Sequence, residues 1–283
     1  MIAPRRFRDF ARSAIRATPG GKRLLVARIQ QRTDYYGISY PKSGRTWVRF
    51  TLGTALCDHF NVQPHEPADV LEPWALARRD PRIPRLVFTH DDNAHLKRIS
   101  ELERSKSRYR RKNVVLLVRD PRDVVVSSYF QQTRRTQPHE AFRGTLSMFL
   151  RDQVHGLETI IEFMNIWAAA RSIPRSFLLL RYEDFARDPR GELHRLVDFL
   201  GVPSVSDETI DAACRASTFE NMQRLEAAGG LGERLEPTDS SDAESFKVRR
   251  GEIGGHNAYL SDEDLAYANA TMARLDPWFR YTG

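Results

Sequence analysis

The chain has only two cysteines in 283 residues, Cys57 and Cys214, so no disulfide framework holds it and no spacing marks a zinc site. That usage fits a reducing cytoplasm. Long hydrophobic runs are missing too, and none approaches the length of a membrane span. Acids are scarce at the start, where nine Arg and Lys residues lie between Arg5 and Arg32 against one carboxylate, Asp9. No continuous apolar stretch follows that basic start, so it does not read as a signal peptide. Phe7, Phe10, Ala11 and Ile15 are spaced for a short basic amphipathic helix on an anionic membrane surface, or for an arm solvated beside the domain or packed on it. Repeats, low-complexity tracts and Pro-, Gly- or Ser-rich linkers are absent. Residues 33–283 are therefore expected to form one domain behind an arm of residues 1–32.

What is present is an ordinary globular composition, 41% hydrophobic and 29% charged, with a formal charge of +7. A positive total fits a phosphate- or sulfate-bearing partner without naming it. Residues 36–40, 84–89, 113–118 and 177–180 read as short, nearly all-apolar strands. Helical spacing covers 46–56, 123–132, 146–170 and 189–200. Strands alternating with helices predict a three-layer α/β domain with a mostly parallel central sheet. Residues 227–245, with Gly229, Gly230, Gly232 and Pro237, read as a long mobile loop.

Three segments carry charge where ligands bind in such folds. Tyr40-Pro41-Lys42-Ser43-Gly44-Arg45-Thr46-Trp47 lies where the first strand turns into a helix. Backbone N–H groups at that helix start, with Lys42, Ser43 and Thr46, suit a phosphate, and Gly44 lets the backbone approach closely. The lysine precedes the glycine, the reverse of a nucleoside-triphosphate P-loop, which weakens a kinase reading. Arg119 leaves the end of the third strand, and Ser127, two helical turns on, is placed to face the same pocket. Phe246-Lys247-Val248-Arg249-Arg250-Gly251 forms a basic cluster closed by a glycine. Three anion sites imply a ligand with more than one phosphate-like group.

Taken in order, the Pro-Lys-Ser-Gly-x-Thr-Trp turn, the Arg119 to Ser127 segment, Arg181-Tyr182-Glu183-Asp184 and Arg249-Arg250-Gly251 resemble the nucleotide-binding motifs of cytosolic-type sulfotransferases. Those enzymes use 3′-phosphoadenosine 5′-phosphosulfate (PAPS) and share a P-loop-like fold. The resemblance implies that Lys42, Ser43, Gly44, Thr46 and Trp47 hold the phosphosulfate end and the adenine side of PAPS. Arg45 stands where the family has threonine or a small residue, within reach of the donor's phosphates, the acceptor or solvent. Arg119, Ser127, Arg249, Arg250 and Gly251 would hold the 3′-phosphate. Tyr182 would contact the adenosine, and Ser217, Thr218 and Phe219 would line the adenine pocket.

His90, closing the second strand, resembles the catalytic base of the family, and Lys42 the residue that meets charge on the leaving group. Metal is not expected. Other departures from the family pattern are Phe88 in place of a lysine and Gly254-Gly255-His256-Asn257 in place of Gly-Asp-Trp-Lys. No dimerisation signature is recognisable, which leaves the oligomeric state open. The acceptor pocket is expected from residues 61–80, 91–112, 131–153 and 222–247, whose many arginines point to a polar or anionic hydroxyl or amine acceptor. A glycan, glycolipid or decorated natural product fits that description. The rivals are a small-molecule kinase of P-loop type and a non-catalytic binder of nucleic acid or another polyanion. Basic residues placed at strand-to-helix turns, with no continuous stripe, argue against nucleic acid.

Overall fold

Alternation along Asn113–Val118 (β3) sets the layers, because successive side chains of a strand face opposite sides of the sheet. Val114, Leu116 and Val118 join one buried cluster, while Val115 and Leu117 join another. The computed structural model describes residues 32–65, 67–136, 139, 141–232, 239, 242–246, 248 and 251–281. The basic arm and its predicted amphipathic helix lie outside these residues, as do Lys247, Arg249 and Arg250.

Four strands form the sheet: Tyr35–Ser39 (β1), Leu86–Thr89 (β2), β3 and Ser176–Arg181 (β4). All pair in parallel, in the order β2-β1-β3-β4. The predicted three-layer fold is the observed one. On one face lie Arg45–His59 (α1), Pro189–Phe199 (α7) and Asp207–Ala216 (α8), which pack Leu52, Leu56, Leu196 and Ile210 against the sheet. The other face carries Pro121–Phe130 (α3), Leu157–Ala169 (α5) and Asp262–Met272 (α10), with Val124, Ile160, Trp167 and Met272 in the core. Shorter helices are Pro73–Leu76 (α2), Leu146–Leu150 (α4), Tyr182–Arg187 (α6) and Phe219–Ala227 (α9).

Two expectations are corrected. The single helix read over 146–170 is two, α4 and α5. Between them Asp152 Oδ1 accepts from the backbone N–H of Val154 (2.9 Å) and His155 (2.8 Å), a local alternative to helical bonding. The helix read over 123–132 begins earlier, capped by Asp120, whose carboxylate accepts from Arg122 N–H at 2.9 Å with Pro121 in the first turn. It ends in a π-helical turn, Gln131–Arg135. In the predicted loop, α9 runs as far as Ala227 and a 3₁₀ turn spans Ala243–Ser245, while residues 233–238 and 240–241 lie outside the description.

Candidate active site

β1 sits between β2 and β3, so the chain leaves the sheet in opposite directions around it, and a crevice opens at the carboxyl ends there. Tyr40, His90, Arg119 and Tyr182, the residues that directly follow β1, β2, β3 and β4, all line one cleft of about 630 Å³. Lys42, Gly44, Arg45, Thr46, Trp47, Ser127, Ser217, Phe219 and Gly251 line it as well. Two predicted residues do not. Ser43 is buried beneath the turn, and Thr218 caps α9, its hydroxyl accepting from Asn221 N–H at 3.4 Å.

The turn before α1 needs left-handed backbone twice, at Lys42 (φ 69°) and Gly44 (φ 88°). Glycine is required at the second position for another reason: a Cβ there would lie 2.4 Å from Tyr182 Cδ2. The Tyr182 ring thus covers the turn. The Arg119 guanidinium lies 4.4 Å from the centroid of that ring, and the Tyr182 hydroxyl donates to Gly251 O at 3.1 Å. Trp47 meets Tyr182 edge-on at 5.6 Å and donates from Nε1 to Ser217 O at 2.7 Å. Gly251 is itself left-handed (φ 69°), and a Cβ on it would come within 2.7 Å of Phe219. Arg119 Nε is buried without a partner among the described residues, while an Nη donates to Glu252 O at 2.8 Å. Three separate segments therefore meet around the Tyr182 ring.

His90 Nδ1 lies 2.8 Å from Ser39 O. A carbonyl oxygen only accepts, so Nδ1 carries a proton, and in the neutral ring Nε2 carries the lone pair. The residue after it anchors this arrangement. Asp91 is 3% exposed and pairs with Lys106 and Arg108, both at 2.6 Å, while accepting from the Tyr109 hydroxyl (2.8 Å) and Trp167 Nε1 (3.0 Å). Asp91, Asp92 and Asn93 are all left-handed, a tight reversal that returns the chain behind the histidine.

The sulfotransferase domain model matches residues 32–276 of this chain. The chain belongs to the sulfotransferase family. It is 26% identical over 247 residues to a flavonol 3-sulfotransferase of Flaveria bidentis, covering 81% of this chain and 77% of the relative. To cytosolic sulfotransferase 7 of Arabidopsis thaliana it is 27% identical over 255 residues, 82% and 76% of the two chains. The fold is that of a mouse sulfotransferase solved with PAP, at a TM-score of 0.56 and 21% identity, over 86% of this chain and 84% of that one.

In this sulfotransferase the remainder of the cleft draws His95, Gln131, Gln132, Thr136 and Met222 from three of the loops expected at the acceptor, 91–112, 131–153 and 222–247, though no single residue of them was singled out from sequence. His95 packs against His90 (5.2 Å between ring centroids) and Tyr40 (6.5 Å). Burial, then the charges of His155 and Arg45, brings the His95 imidazole down to about 4, so the ring is neutral at pH 7. The Tyr40 hydroxyl and His95 Nδ1 are buried without hydrogen-bond partners among the described residues. Burial, helped by Asp152, raises the Tyr40 phenol well above its usual range. Arg49, Gln131, Gln132, Thr136, His155, Met222 and Val248 also line the cleft, the last two packed with Trp47. Among the described residues, 61–80 contribute nothing to the lining, and Tyr109, expected in an acceptor loop, is a core residue.

Asp123 was also missed. It accepts from Gly254 N–H (2.9 Å), from His256 N–H (3.0 Å) and Nδ1 (2.8 Å), and from Arg119 (3.4 Å). The Gly254-Gly255-His256-Asn257 segment that departs from the family pattern is thereby tied to α3. Glu226 plays a matching part farther along. It is 1% exposed, pairs with Arg135 at 3.3 Å and accepts from Val248 N–H at 2.8 Å, holding the chain that leads to Gly251.

Proposed function

We propose that this cleft binds PAPS and transfers its sulfuryl group to an acceptor hydroxyl or amine. The observation that carries the reading is His90, held through Nδ1 at Ser39 O, in the same cleft as Lys42 and the left-handed turn before α1. The donor's groups fit the surroundings. The unpartnered Arg119 Nε and the glycine cradles at Gly44 and Gly251 suit its phosphates, and Trp47, Tyr182 and Phe219 offer aromatic surface to its base. Lys42, Gly44, Thr46 and Trp47 are assigned to the phosphosulfate end and the adenine side, and Ser43, whose side chain is buried, to the same end through its backbone N–H. Arg119, Ser127, Arg249, Arg250 and Gly251 are assigned to the 3′-phosphate, and Ser217 to the adenine edge, with Thr218 behind it capping α9.

His90 Nε2 takes the acceptor's proton as its oxygen or nitrogen bonds to sulfur, and the S–O bond to the 5′-phosphate breaks to release adenosine 3′,5′-bisphosphate (PAP). Lys42 meets the charge that grows on the departing oxygen. The acceptor is a polar molecule such as a glycan, glycolipid or decorated natural product. The setting is the cytoplasm, supported by relatives named cytosolic, with the basic arm as a peripheral contact to membrane.

The test is thermal unfolding of wild type and Lys42→Ala with PAP, with ATP plus magnesium, and with buffer. PAP at about a hundredfold its Kd adds about 2.7 kcal/mol. That raises the wild-type midpoint by roughly 5–10 °C. Lys42→Ala should remain folded and gain less. Stabilisation by ATP with magnesium and none by PAP would overturn the reading in favour of a kinase.

A further inference from the structure

One cation in the cleft has no ion-pair partner among the described residues. Arg45 opens α1, lines the cleft and forms no hydrogen bond or ion pair among the described residues. One helical turn on, Arg49 behaves differently: it donates to Leu71 O and pairs with Glu72. Burial, then repulsion from Arg49, pulls the Arg45 guanidinium down to about 10, with Glu72 opposing. A cation held from water beside a like charge is costly until something negative reaches it.

Contacts divide the cleft lining into two sets. Trp47, Tyr182, Arg119 and Gly251 touch one another around Gly44. His90, His95 and Tyr40 form the second set, and the charge of Arg45 is felt at His95. The carboxylates near this second set are already engaged, Glu72 by Arg49 and Asp152 by His155 and two backbone N–H groups. Tyr40 and His95 add polar atoms without partners of their own.

We propose that Arg45 receives a negatively charged group of the acceptor, a carboxylate, sulfate or phosphate, while the acceptor's nucleophile lies at His90 Nε2. The enzyme is thereby selective for acidic acceptors. This rests on the reading of His90 as the acceptor's base, and of the three partners within reach of Arg45, donor, acceptor or solvent, it selects the acceptor.

The experiment is calorimetric titration of the full chain, saturated with PAP, using 4-hydroxyphenylacetate and its neutral isostere 4-hydroxyphenylacetamide. Wild type should bind the carboxylate at least about tenfold more tightly, the worth of one charge-assisted contact. Arg45→Thr should abolish the preference and Arg45→Lys should keep part of it, with PAP affinity within about threefold of wild type in both. Equal binding of the two probes by wild type, binding of neither, or a preference that survives Arg45→Thr overturns the proposal. A drop of about tenfold or more in PAP affinity for Arg45→Thr also overturns it, by assigning Arg45 to the donor. Failure of wild type to bind PAP at all refutes the proposed function instead.

Discussion

Replacing Asp123 with asparagine changes one oxygen to an amide in a pocket built for a carboxylate. Oδ1 keeps its contacts with His256, but the group replacing Oδ2 becomes a donor facing Gly254 N–H and the Arg119 guanidinium. Hydrogen bonds to charged groups contribute about 1.5–3 kcal/mol each, so losing two, one of them long at 3.4 Å, costs roughly 2–4 kcal/mol. Spread over the whole domain that would lower the melting temperature by about 5–15 °C. The segment around residues 254–257 can open separately, which puts the midpoint shift at the low end. Amide exchange at Gly255–Ala258 should then accelerate on the order of a hundredfold, as measured by hydrogen–deuterium exchange. PAP affinity should fall about tenfold as Arg119 loses its tether.

The pH dependence has a definite sign. Burial acts to raise the Asp123 carboxyl, but His256, Arg119 and the backbone donors outweigh it and hold the carboxyl below its usual range. Its contribution is therefore present above the unfolded value of about 4 and is lost as pH falls through the lower folded value. The stability gap between wild type and Asp123→Asn should close in acid. Unchanged exchange at Gly255–Ala258 together with unchanged PAP affinity would refute the reasoning.

Two further outcomes follow from the groups behind β2. His90→Asn should lower kcat by about 10²–10⁴ with little change in PAP affinity or melting temperature, measured by turnover and by calorimetry. A folded variant with near-normal kcat would remove His90 as the base. Asp91→Asn leaves the buried Lys106 without its carboxylate, while Arg108 keeps Glu103, and should destabilise by roughly 3–5 kcal/mol, read by urea unfolding. Restoring part of that loss with Lys106→Met would identify the stranded charge as the cause.

Much of the fold was legible because β3 and β4 are short and apolar on both faces, which marks parallel strands under two helical layers. The donor side was legible because its residues come in runs at strand ends. Asp152 hid the break between α4 and α5, since its turn competes with a helix whose apolar spacing continues on both sides. Asp123 could have been found from its place in the first turn of the helix that follows Arg119, where a carboxylate is favoured. The Asp91-Asp92-Asn93 run, typical of left-handed turns, pointed to a sharp reversal behind His90. His95 and Thr136 fall in loops expected at the acceptor, 91–112 and 131–153, with nothing to single them out, and His155 had no signal at all. They meet only because loops from distant parts of the chain fold over the same sheet edge.

The four residues that directly follow β1, β2, β3 and β4 line the cleft with no slack, and Tyr182 is already the first residue of α6. One residue added between Arg181 and Tyr182 would turn the aromatic ring by about 100° around the helix axis, away from Gly44, Arg119 and Gly251 at once. Tolerance to insertions should therefore be sharply uneven along this chain. A library of single-residue insertions should survive between α7 and α8, where the connection lies remote from the cleft, and fail at all four strand ends.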